Sequence, residues 1–139
     1  MASALYDNAL NEFAKGNIAW KASGGSTIKA ILIDTAKYTF SATHRFLSEI
    51  PSESRVGTPA TLVLSDAADG GVCDASDVTF SDLERAPTVE AIVLYKDTGE
   101  ESTSVLIAYI DTGDGLPTPA MVNSILVKWD NGPNKIFKL

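Results

Sequence analysis

VEAIVLYK (Val89–Lys96), DTGEE (Asp97–Glu101) and STSVLIAYI (Ser102–Ile110) follow one another without a break. The outer two runs are rich in β-branched and aromatic residues, and the middle one is turn chemistry, so the stretch predicts an antiparallel hairpin. A parallel α/β fold needs helices between its strands, and this half of the chain leaves no room for them. SILVKW (Ser124–Trp129) and KIFKL (Lys135–Leu139) flank DNGPN (Asp130–Asn134) and predict a second hairpin. Asn131-Gly132 supplies the positive-φ dipeptide that such turns prefer. Pairing of this last strand is expected to tie down Lys135–Leu139.

Working outward toward the N-terminus, IKAILID (Ile28–Asp34) reads as a buried strand, apolar on both faces in its middle. Thr61–Ser65 and Val78–Phe80 are shorter strand candidates on either side of a polar, aspartate-rich segment. THRFLS (Thr43–Ser48) predicts one helical turn, closed by Ile50-Pro51, and Ser52–Pro59 reads as a long loop. SGGST (Ser23–Thr27) is a flexible turn after the short run Ile18–Lys21. Ser3–Lys15 is the one good helix: Leu5, Ala9 and Phe13 recur every four residues with Tyr6 and Leu10 beside them. Ser3 is its expected N-cap and Gly16 its left-handed stop, with Asp7 and Lys15 placed to suit the helix dipole. The fold expected is mainly β, an antiparallel sandwich or flattened barrel with one N-terminal α-helix. All of 1–139 forms one domain, a helix over 1–16 and a β-rich body over 17–139.

The composition supports a single packed unit and narrows its partners. The chain has 139 residues, 45% of them hydrophobic and 21% charged, which suits a domain burying roughly two-thirds of its unfolded surface. Lys and Arg number 11 against 18 Asp and Glu, a net charge of -7. The basic residues are scattered singly, so nucleic acid and anionic membranes are poor partners. One cysteine, Cys73, excludes an intrachain disulfide framework. The opening MASALYDNALNEF has neither the basic start nor the apolar core of a secretory signal, and synthesis and folding in a cytoplasm are the expectation.

Several residues invite chemical readings. Asp-Thr-Gly occurs twice, at Asp97–Gly99 and Asp111–Gly113, the tripeptide with which aspartic proteases pair two carboxylates. The copies flank one predicted strand, and eight or nine extended residues span roughly 25–30 Å, so the two carboxylates cannot meet within one chain. Turn chemistry is the stronger reading. Asp66, Asp69, Asp74 and Asp77 surround Gly70-Gly71 without EF-hand spacing, which favours a solvated acidic loop over a Ca²⁺ site. A Cys73–His44 dyad lacks any local signature, and acidic neighbours disfavour the thiolate. His44 is the only histidine, so no multi-histidine zinc centre is available. No nucleotide-loop, hydrolase-elbow or zincin motif occurs. No enzymatic activity, cofactor or metal is expected. Trp20 and Trp129 could form a carbohydrate-stacking surface, with core or subunit packing the stronger alternative.

ALYDNALNEFAKGNIAW, IKAILIDTAKYTFSATHRFLSEIP, VTFSDL, AIVLYKDTG, LIAYIDT and the closing ILVKWDNGPNKIFKL, taken in that order, resemble small structural proteins of tailed bacteriophages. Within that group the chain is most like capsid decoration, or cement, proteins. The resemblance covers most of the chain and rests on structural motifs. It implies a virion protein on the capsid surface, bound to the major capsid protein and assembled as a homo-oligomer, with a trimer the first expectation. Neither nucleic acid nor membrane is an expected partner. A tail or head–tail joining role, or a carbohydrate-binding surface module, are the alternatives. Leu5, Tyr6, Leu10, Phe13 and Trp20 are the candidate capsid or subunit contacts, although the helix stripe would serve equally to cover the protein's own sheet. The N-terminal segment Met1–Phe13, the Ser52–Pro59 loop and exposed strand edges are the expected attachment devices.

Overall fold

A computed structural model of the chain describes residues 4–66, 72–76, 78–80, 91–110, 125–127 and 137–138. It is mainly β. Five strands form one antiparallel sheet, in the order β1 (Ala4–Leu5), β7 (Val105–Ile110), β6 (Ala91–Lys96), β2 (Ile28–Ile33), β3 (Arg55–Thr61). Two further pairs join β4 (Val72–Cys73) to β9 (Phe137–Lys138) and β5 (Val78–Phe80) to β8 (Ile125–Val127). Among the described residues, one α-helix, α1 (Asp7–Ala14), packs on β7, and single 3-10 turns occupy Leu47–Glu49 and Ser52–Ser54. The five-stranded sheet is not closed.

The hairpin expected from Val89–Ile110 forms the heart of this sheet. Its pairing runs from Ile92 opposite Ile110 to Lys96 opposite Val105, with a register shift at Leu94/Tyr95. β2 lies along the other side of β6, with Ala30 opposite Leu94 and Leu32 opposite Ile92. Every residue of β7 and the first five of β6 are buried, so side chains of both alternating sets are covered. That is why these strands read as continuous apolar runs instead of alternating ones. At about 25 cal/mol per Å² of apolar surface, each buried Leu or Ile here contributes roughly 1.5–3 kcal/mol.

The chain's first described residues depart from the helix expected over Ser3–Lys15. Ala4 and Leu5 pair with Tyr109 and Ala108, and the Tyr6 amide donates to Ile107 O at 3.0 Å. These ladder bonds take the backbone that a first helical turn would have used. Tyr6, at φ -77° and ψ 141°, is the extended residue from which α1 starts at Asp7. The predicted stop holds: Gly16 has φ 80°, a conformation that carries a Cβ penalty in other residues.

β3 corrects a second expectation, because most of Ser52–Pro59 is not a long loop. A 3-10 turn at Ser52–Ser54 leads directly into a strand beginning at Arg55. Gly57 and Pro59 looked like loop punctuation. The ladder to β2 accommodates them by an irregularity in which Ala30 faces Ala60 but Leu32 faces Val56, with Gly57 at φ 73°. Thr61–Ser65, the expected strand, is mostly the segment that follows: Leu62 N still donates to Ile28 O, and Leu64 then bridges Ala75. The helical turn expected at Thr43–Ser48 forms slightly later, at Leu47–Glu49. In the expected second hairpin, the described pairings join β8 to β5 and β9 to β4. Its Asn131-Gly132 turn lies outside the described residues.

Candidate functional site

The N-terminal segment divides its apolar residues between inside and outside. Tyr6 and Ala9 are fully buried, Leu5 and Phe13 are partly buried against the core, and Leu10 is 45% exposed. Tyr6 therefore cannot offer its ring to a partner in this conformation. It packs on Phe40 at 5.1 Å, and Phe40 in turn packs on Tyr109 at 4.9 Å. Trp20 is also committed inside, its indole Nε1–H donating to Asp74 O at 2.8 Å. The loop carrying it is closed by Ser26 N donating to Ala19 O and Ala19 N to the Ser26 hydroxyl. Of the five contact candidates, Leu10 alone presents a largely exposed apolar side chain. Trp129 lies outside the described residues.

A cleft of about 430 Å³ opens between the start of β3, the Leu47–Ser52 turns and the β6–β7 loop. Ile31, Leu47 and Tyr95 provide its apolar lining, while Asp97, Glu100, Glu101 and Arg55 provide charge. Arg55 ties the walls together. Its Nη2 donates to Leu47 O at 2.8 Å and Ile50 O at 2.7 Å, and contacts Glu101 Oε1 at 2.9 Å. Its Nε is buried without a partner among the described residues. The Arg55 guanidinium holds the Glu101 carboxyl below its usual range. No sequence motif singled out Arg55, because its acceptors are backbone carbonyls whose convergence only the turns create.

Asp97 is occupied in the way that simple turn chemistry expects. Its Oδ1 accepts from Gly99 N at 3.1 Å, and its Oδ2 lies 3.2 Å from Lys29 Nζ. These two donors, the backbone amide first, hold its carboxyl below the ordinary aspartate range. Gly99 completes the turn at φ 92°. Asp111–Gly113 lies outside the described residues. Asp66 Oδ1 accepts from Ala22 N at 2.8 Å; Asp69 and Asp77 lie outside them.

Cys73 is buried, and burial pushes its thiol up to about 11, so it is protonated at neutral pH. His44 faces Tyr38, with Nδ1 2.8 Å from the Tyr38 hydroxyl, and Tyr38 meets Tyr6 at 2.9 Å. Burial, reinforced by Tyr38, carries the Tyr6 hydroxyl far above the ordinary tyrosine range. Burial likewise raises Tyr38. Among the described residues, no three His, Cys, Asp or Glu side chains converge to hold a metal ion, and no helix is long and apolar enough to cross a membrane. No protein-family model matches the chain, and no curated protein matches it.

Proposed function

We propose that this chain is a non-enzymatic structural protein of a tailed-phage virion, most specifically a decoration protein that binds the assembled shell and bridges neighbouring capsid subunits. The observation that supports it is where the resembling motifs fall. IKAILID holds β2, AIVLYKDTG supplies β6 and its turn, LIAYIDT supplies β7, and ALYDNALNEFAKG supplies β1 and α1. The shared residues are thus the architecture itself. The side chains that could suggest catalysis serve structure: Asp97 closes a turn, Cys73 is buried and protonated, and His44 anchors a tyrosine pair.

A decoration protein works through many weak contacts repeated by symmetry, each made more effective by the high local concentration on a shell. The net charge of -7 keeps free copies soluble before assembly. Leu10, exposed on the outer side of α1, is the contact residue this reading selects. Purified protein added to expanded, undecorated capsids should raise their melting temperature, and Leu10→Glu should weaken that effect without unfolding the free protein. Failure to bind both immature and mature shells would overturn the proposal. Label concentrated at one vertex or along the tail of intact virions would replace it with a joining or tail role.

A further inference from the structure

We propose that the cleft between β3, the Leu47–Ser52 turns and the β6–β7 loop receives one arginine side chain of a partner protein, with the Glu100 carboxylate at its rim and the Tyr95 hydroxyl inside as acceptors. Two features of the lining point to such an occupant. The first is Tyr95. Its side chain is 3% exposed, yet its hydroxyl has no hydrogen-bond partner among the described residues. The hydroxyl lies among the charges of the cleft, since Asp97, Arg55 and Glu101 all act on it. Burial, then the Asp97 carboxylate, pushes it up to about 12, so it stays protonated and neutral. A covered polar group without a protein partner takes water or a ligand group in that place. Water serves the Tyr95 hydroxyl in the free protein, and binding exchanges it for a charged donor.

The second feature is the charge left over once the ion pairs are matched. Arg55 contacts Glu101 at 2.9 Å, and Lys29 lies 3.2 Å from Asp97, so each pair cancels. Glu100 also lines the cleft and has no cationic partner among the described residues. The lining therefore calls for one positive charge, whereas an anion would meet three carboxylates and a guanidinium already engaged. Arginine suits the rest of the lining better than lysine. Its planar fork of donors serves a rim carboxylate and the interior hydroxyl oxygen together, and its head-group is more weakly hydrated than an ammonium. Ile31, Leu47 and Pro59 offer apolar surface to its stem. At about 430 Å³ the cleft has the size of an ordinary ligand pocket.

The receptor is built before any partner arrives. Leu47 N donates to Ser104 O at 2.9 Å and Ser48 N to Glu101 O at 3.1 Å, which fastens the 3-10 turn to the loop. Within the loop, Glu100 O accepts from Ser104 N at 3.0 Å, Ser104 Oγ at 2.8 Å and Thr98 Oγ1 at 3.1 Å. The backbone that carries the rim carboxylate is thus fixed. Arg55 holds the facing wall through Leu47 O and Ile50 O. Walls tied in this way have little freedom left to lose on binding, which lowers the ordering cost of a small contact. The inference concerns the cleft alone and stands independently of the virion reading.

The test titrates isotope-labelled protein with N-acetyl-argininamide, followed by amide NMR shifts at constant ionic strength. The neutral isostere N-acetyl-citrullinamide and free arginine are run beside it. A capped single residue should bind with a dissociation constant on the order of millimolar. Saturable shifts should fall on the amides of Gly99–Ser104 and Leu47–Ile50 and leave those of α1 unmoved. The citrulline probe should bind at least about fivefold more weakly, because it lacks the charge. Tyr95→Phe keeps the buried ring and should weaken arginine binding about three- to tenfold, the worth of one hydrogen bond. Glu100→Gln should weaken it about two- to fivefold and flatten its salt dependence. If Tyr95→Phe disturbs the fold, Glu100→Gln and the citrulline probe still decide. Scattered or non-saturating shifts, equal binding of citrulline, or unchanged affinity in either folded variant would overturn the proposal. Free arginine binding more tightly than the capped residue would overturn the protein partner in favour of a small molecule.

Discussion

Replacing Arg55 with Met tests whether the cleft is held open by one guanidinium. The substitution keeps most of the apolar stem and removes the donors. Two backbone carbonyls lose Nη2, but unequally: Leu47 O also accepts from Ile50 N at 3.0 Å, whereas Arg55 is the described donor to Ile50 O. Leaving one buried acceptor unmet costs about 1–3 kcal/mol, and losing a second, shared bond costs about 1 kcal/mol. Removing Nε, a buried donor without a partner among the described residues, returns about 1 kcal/mol. Glu101 is exposed enough for water to replace the guanidinium, and its contact is left out of the sum. The net expectation is a loss of about 2 kcal/mol. For a chain of this size that lowers the melting temperature by roughly 4–8 °C and moves a urea midpoint by about 1 M. Unfolding is followed by the combined fluorescence of Trp20 and Trp129, with Glu101→Gln as a control. A loss below about 0.5 kcal/mol, or one matched by Glu101→Gln, would refute the assignment of the energy to the carbonyls.

Gly25→Ala should destabilise the chain more than Gly16→Ala. A Cβ at Gly25 would sit 2.7 Å from Lys21 O and 2.8 Å from Ala19 O, whereas at Gly16 it meets nothing and incurs only the left-handed backbone penalty of about 1 kcal/mol; chemical denaturation of the pair gives the order. Asp97→Asn should flatten the acid limb of the stability curve. The Gly99 amide and Lys29 depress the Asp97 carboxyl, so its contribution is present above the unfolded value of 3.8 and is lost as pH falls through and below it. Glu12, lowered mainly by Asn17, and Glu49, lowered by backbone amides against an opposing desolvation, lose theirs from 4.5 downward. Cys73 should resist alkylation at pH 8 in the native protein and react fully in denaturant, as mass spectrometry would report; rapid native labelling would contradict its burial and raised thiol.

The central hairpin was legible because two signals agreed: long apolar runs and a turn whose Asp, Thr and Gly each have a local task. Gly16 was legible for the same reason, since the residue that ends the stripe is also the one that tolerates φ 80°. The first turn of the helix was misread because periodicity describes side chains and says nothing about competing backbone partners. Ala4–Tyr6 carry an acceptable helical pattern, yet the free edge of β7 captures their amides and carbonyls. β3 was misread for the opposite reason: Gly57 and Pro59 argue locally against a strand, and a register irregularity absorbs both. The Arg55 clamp and the Tyr6–Tyr38–His44 hydrogen-bond chain could not be read from spacing. Their members are 46 and 32 residues apart at the longest hydrogen-bonded links, and topology alone brings them together.

The edges of the sheet sharpen what kind of attachment such a body can make. Open edges are templates for pairing with another chain, which made them natural attachment devices on sequence grounds. At one end, β7 is already occupied: β1 pairs with Ala108 and Tyr109, Tyr6 N reaches Ile107 O, and Arg45 O and Leu47 N bond Leu106 and Ser104. A partner strand there would have to displace the segment that Tyr6 anchors. At the other end, β3 is interrupted by Gly57 in the left-handed region and by Pro59, which has no amide to donate. Both devices discourage regular strand addition in proteins whose sheets must stay solitary. If the chain attaches to a shell as proposed, added strands are the disfavoured mode for this body, and side-chain contact through α1 and the turns is the mode its geometry leaves open. The exception is a partner that takes the place of β1, and it would first have to break the Tyr6–Tyr38 hydrogen bond and lift the Tyr6 ring out of the core.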